Sequence, residues 1–140
     1  MSDITQRVPP EGSNNSLLFI TQLVYILHGL SMLIGLMTGA TIISAFLFGW
    51  PSIAAVVLNY VKAPDARGTF LESHFSWQIR TFWYGMVWTL LVMIAGVVLM
   101  PFIVGPFIWL GGFVVLSIWV AYRIIFGWLR LREYRPVFSD

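Results

Sequence analysis

Two blocks of the chain carry no formal charge: residues 17–61, a run of 45, and residues 81–122, a run of 42. A bilayer's hydrocarbon core, about 30 Å thick, takes roughly 20 helical residues at about 1.5 Å each. Each block is thus about twice one crossing and reads as two helices joined by a tight turn. Neither block alternates apolar and polar residues as a barrel strand must. Composition agrees. Of 140 residues, 59% are hydrophobic and 10% charged, against about 25% charged in a soluble domain. So small a domain has too little interior to hide that much apolar surface from water. A disordered regulator, a secreted mini-protein and an ordinary cytosolic enzyme are excluded.

In the first block the breakers are Gly35, Thr38, Gly39 and Thr41, which predict helices over 17–37 and 41–61. In the second they are Pro101, Gly105 and Pro106, which predict helices over 81–100 and 106–126. Trp50-Pro51 predicts a kink in the second helix, because proline removes a backbone hydrogen bond. A turn nearer 46–50 would leave too few residues before Lys62 to span. The expected fold is all-α, an integral membrane four-helix bundle of one domain. A polar tail (1–16) and a basic tail (127–140) flank it.

All eight basic residues fall on one side of a four-crossing arrangement: Arg7, then Lys62, Arg67 and Arg80, then Arg123, Arg130, Arg132 and Arg135. Cytoplasmic segments carry the Lys/Arg excess, so both termini and the central segment are expected in the cytoplasm. The start does not read as a cleavable signal, since the apolar segment is too long and no small-residue cleavage site follows it. There is no cysteine, which excludes disulfides, thiol catalysis and thiolate metal sites. A net charge of +2 is far from the dense basic surface that nucleic acid requires. The expected partners are the lipid bilayer, other membrane proteins or further copies of the chain, and no nucleic acid.

The central segment, KAPDARGTFLESHFSWQIR (62–80), begins with a Pro64–Asp65–Gly68 turn. Thr69 and Glu72 have the spacing of a capping box. From there Phe70, Leu71, Phe75, Ile79 and Phe82 fall on one helical flank, and Glu72, Ser76 and Arg80 on another. These spacings predict a short amphipathic elbow on the cytoplasmic surface leading into the third helix, with Trp77, Trp83 and Tyr84 at headgroup level.

The run NYVKAPDARGTFLESHFSWQIRTFW (59–83), with Tyr122-Arg123 and the GWLRL tail, resembles a family of small proteobacterial multi-pass membrane proteins. That family is distantly similar to the Tic-type subunit of the chloroplast inner-envelope import machinery, through its architecture and a His-then-Gln pattern (His74, Gln78) entering a helix. The resemblance implies a bacterial inner-membrane protein associated with transport. It supplies no catalytic residue.

Among candidate functional residues, His28 lies about eleven residues into the first helix and His74 at the inner border. Two axial haem ligands must face one another at one depth, and these two do not share one. No paired-histidine or carboxylate motif of a metal site is present, so neither cofactor nor metal is expected. The first helix carries a polar seam of Thr21, Tyr25, His28 and Ser31, continued by Gly35 and Thr38. Such small and weakly polar residues let helices approach and bind one another. Asn59, Glu72, His74, Gln78 and Arg123 are expected in one inner layer, with Arg123 either bonded to the amides of Asn59 and Gln78 or contacting lipid phosphate. An intramembrane enzyme would need a paired nucleophile and base, which the sequence does not display. The function expected is a non-enzymatic scaffold, assembly factor or accessory subunit. The alternative is a small oligomeric transporter or pore, with the Gly49-Trp50-Pro51 break near its site.

Overall fold

A computed structural model of the chain describes residues 14–37 and 42–138. Five helices follow one another: α1 (Asn15–Met37), α2 (Ile42–Phe48), α3 (Trp50–Lys62), α4 (Leu71–Val98) and α5 (Gly105–Arg132). Short 3₁₀ turns occupy Ala63–Ala66 and Met100–Phe102. The fold is all-α, with no strand among the described residues. Helices α1, α4 and α5 are each long and apolar enough to cross a membrane, and α2 with α3 makes a fourth such element if the bent pair is one span. Thr38, Gly39 and Thr41, named above as breakers, lie outside the described residues.

The side-chain pattern is inverted relative to a soluble bundle. On α1, Thr21, His28 and Ser31 are buried while Phe19, Ile26, Leu33 and Leu36 are exposed. Lipid gives apolar side chains no reason to leave the surface, so helix pairing rests on close packing and polar contacts instead. An apolar core still exists, built from residues such as Phe46, Leu47, Leu71, Phe75 and Val120.

The second predicted helix is two helices. Gly49 has extended geometry (φ −67°, ψ 138°), and the axes on either side differ by 49°. Pro51 sits in the first turn of α3, where its missing N–H costs nothing. A Cβ at residue 49 would run into the Ser31 hydroxyl and the Ala45 carbonyl, so only glycine lets α1 approach the break this closely.

The third and fourth predicted helices are longer than expected. α4 begins at Leu71 and runs unbroken to Val98, ten residues ahead of the predicted start at 81. The amphipathic segment is its first turns, with no joint between elbow and span. Its apolar flank packs inward through Leu71, Phe75 and Phe82, so it is part of the bundle. The predicted capping box is shifted by one residue. Glu72 accepts from the Gly68 N–H (2.9 Å), while the Thr69 hydroxyl accepts from the Leu71 N–H (3.3 Å). α5 continues through Gly127 to Arg132, so the tail predicted at 127–140 starts six residues later. Gly127 stays helical because the Tyr25 ring fills the place a side chain would take, and Leu131 beyond it is buried.

After α5 the chain turns back over the first turns of α4. The Val137 N–H donates to Ser73 Oγ (3.0 Å), Tyr134 packs against Phe70, and Phe138 packs against Trp77. At the uncharged end α4 and α5 form a hairpin closed by glycines. Trp109 lies against Gly96 and donates its indole N–H to the Met93 carbonyl (3.2 Å), and Val92 lies against Gly112. Between Thr89 and Leu116 only Gly96 and Gly105 are buried, so this half of the hairpin packs chiefly on itself.

Candidate functional site

The polar stripe of α1 is the organising feature. Thr21, Tyr25, His28 and Ser31 are at most 2% exposed, and each is tied to a different place. The Thr21 hydroxyl donates back to the Leu17 carbonyl (2.7 Å). Ser31 donates to the Ala45 carbonyl of α2 (2.9 Å), just before the break. His28 Nδ1 meets the Ser52 hydroxyl of α3, with the Phe46 ring 4.9 Å away. Tyr25 Oη meets His74 Nδ1 of α4 (3.0 Å).

His74 fixes its own tautomer. Its Nε2 lies 2.8 Å from the Arg135 carbonyl, and a carbonyl only accepts, so that nitrogen carries the proton. Nδ1 is then the acceptor for the Tyr25 O–H. The string carbonyl, imidazole, phenol runs from the folded-back tail into the helix bundle.

Helix α1 runs antiparallel to the α2–α3 pair, since Ser31 meets Ala45 of α2 and His28 meets Ser52 of α3. Two turns from that contact toward the charged end, α1 presents Thr21 and α3 presents Asn59. Gln78 Nε2 donates to the Thr21 carbonyl (3.4 Å), which brings α4 into the same layer. Asn59 and Gln78 are fully buried. Both Asn59 amide atoms, Gln78 Oε1 and His28 Nε2 have no hydrogen-bond partner. Buried polar atoms without partners cost about 1–3 kcal/mol each and concentrate where a protein departs from stability for another end.

Arg123 departs from expectation. It bonds neither Asn59 nor Gln78. Its Nε–H donates to Thr81 Oγ (2.7 Å), its guanidinium lies 3.5 Å from the centre of the Trp77 ring, and Trp77 Nε1 donates to the Arg123 carbonyl (3.0 Å). A planar cation gains more from an indole face plus a hydroxyl than from amides turned to another side of the layer. Glu72 is likewise apart, holding the Gly68 amide at the helix start. Of the five residues expected in one cluster, Asn59 and Gln78 share full burial but no hydrogen bond joins them. His74 belongs to the Tyr25 string.

Sequence reasoning missed Ser52, Thr81 and Trp77 as partners. Ser52, Ala55 and Asn59 do form a stripe at helical spacing on α3, which was the available signal. Ser52 and His28 have the types of a nucleophile–base pair. However, both are fully buried, and His28 Nε2 lacks the third group that would orient the ring. His28 and His74 are each engaged with different residues. Among the described residues no group of three His, Cys, Asp or Glu could hold a metal.

No protein-family model matches the chain, and no curated protein or solved structure matches it either.

Proposed function

We propose that this chain is a non-enzymatic inner-membrane protein that acts as a scaffold, assembly factor or accessory subunit through lateral contacts of the α4–α5 hairpin. The observation that carries this reading is the half-hairpin between Thr89 and Leu116, exposed on nearly every face. Val97, Phe107, Leu110 and Val115 are each more than half exposed, and small residues beside them (Gly111, Gly112) allow another helix to come close. In this reading the chain spans four times with both termini and residues 62–70 in the cytoplasm, which the one-sided distribution of arginine and lysine supports. The resemblance of residues 59–83 to the proteobacterial family points the same way, toward an accessory role near a transport process.

The test is a photo-crosslinking amino acid placed at Leu110 in living cells, with Phe19 of α1 as the control position. Discrete crosslinked protein bands at Leu110 and none at Phe19 are expected. Lipid adducts alone at both positions would overturn the reading.

A second reading, a small oligomeric transporter, is favoured by the break at Gly49 beside the unpartnered atoms of His28 and Asn59. Transporter sites form at broken helices. Flux through liposomes containing the purified protein, abolished by Pro51→Ala, would replace the first reading with this one.

A further inference from the structure

Arg123 is held as few arginines at a helix surface are. The indole of Trp77 lies flat beneath its guanidinium at 3.5 Å, and Trp119 stands 5.0 Å away. Its Nε–H is committed to Thr81 Oγ, whose own O–H is committed to the Trp77 carbonyl (2.7 Å). The side chain is thus fixed through its inner nitrogen, and its two terminal nitrogens, with four N–H donors between them, make no hydrogen bond to the described residues.

Arg80, one residue before Thr81, is close enough that the two charges repel. It reaches over the Phe138 ring at 5.7 Å, and Phe138 rests against Trp77. The only ion pairs among the described residues are Lys62–Asp65 and Arg135–Glu133. Among the described residues, therefore, neither of these two guanidiniums, one of them clamped, is paired with a carboxylate, although Glu72 lines the same cleft as Arg80. Tyr122, next to Arg123 in the chain, and Tyr84 of α4 are both exposed.

We infer that Arg123 and Arg80 form a binding site for the phosphate of an anionic phospholipid. The ligand needs two accepting oxygens to meet the planar fork of Arg123 and a net negative charge to offset the second guanidinium. It also needs an apolar body that can lie along exposed aromatic and aliphatic side chains. A phosphate diester on two acyl chains has all three, and a zwitterionic headgroup lacks the net charge. The site lies where 42 uncharged residues end, the level of headgroups in the membrane placement proposed above. Binding itself is measurable in detergent, so its failure is distinct from a failure of that placement.

The experiment is native mass spectrometry of the full chain in a neutral detergent, titrated with phosphatidylglycerol or phosphatidylcholine. The wild type should retain one phosphatidylglycerol at concentrations where phosphatidylcholine is lost. Arg80→Gln, a change at an exposed position that leaves folding intact, should weaken that retention about tenfold, the scale of one charge-assisted contact. Thr81→Val frees the guanidinium and should weaken it without changing net charge, whereas Arg132→Gln at the end of α5 should leave it unaltered. Equal retention of the two lipids, or an unchanged preference in Arg80→Gln, would overturn the inference. So would displacement of the lipid by millimolar inorganic phosphate, which would identify a free anion as the ligand.

Discussion

Asn59 is the least satisfied side chain among the described residues, fully buried with both amide atoms unpartnered. If the amide serves no fold contact, Asn59→Leu should raise the unfolding midpoint in detergent by the equivalent of about 1 kcal/mol or more, since an apolar side chain removes the penalty of the orphaned atoms. A fall in the midpoint would mean that the amide has partners of its own. Tyr25 gives the opposite expectation. Tyr25→Phe deletes the bond to His74 and should cost about 0.6–1.7 kcal/mol, the range for interhelical polar contacts in membranes. Gly127→Ala should cost more, because its methyl group displaces the whole Tyr25 ring. Equal losses in the two variants would argue against that packing. The α1 stripe was legible because 3–4 spacing alone puts Thr21, Tyr25, His28 and Ser31 on one side. The partner of Arg123 was not. Sequence position assigns a depth, and depth says nothing about which neighbour a side chain turns toward.

Helix ends are legible in the sequence where the breaker acts locally. Gly49 and Pro51 break the second element where proline and glycine chemistry requires. The ends of α4 and α5 were misplaced because their extension depends on tertiary cover: the returning tail over Ser73 and His74, and Tyr25 over Gly127. One local feature has no signal in the sequence. Ile103 closes the α4–α5 turn with φ 63°, a left-handed conformation that a β-branched residue rarely takes and that costs of order 1–3 kcal/mol. Its side chain is 77% exposed, so Ile103→Gly relieves strain while giving up little packing. Part of the gain is offset by glycine's greater freedom when unfolded. The net effect should be stabilisation of about 1 kcal/mol or less, seen as a higher unfolding midpoint. A lower midpoint would mean that the Ile103 side chain is held by contacts outside this chain.

The whole molecule is an inverted bundle, with polar groups tying helices together inside and apolar side chains facing outward, as lipid demands. The charged residues among those described fall in 62–80 and 123–135 and leave the long apolar stretches between them uncharged, as a lipid-facing surface requires. That distribution makes a sharp statement about the bent pair α2–α3. If the pair is one span, residues 62–70 lie on the same side as both termini. If it is a re-entrant loop, they lie opposite the N-terminus and the basic residues are split across the membrane. A reporter active only in the periplasm, fused after Gly68, after Val104 and after Asp140, decides between them. Four crossings predict activity after Val104 and silence at the other two positions. Activity after Gly68 with silence after Val104 would contradict four crossings and leave α2–α3 as a loop that enters and leaves by the same face.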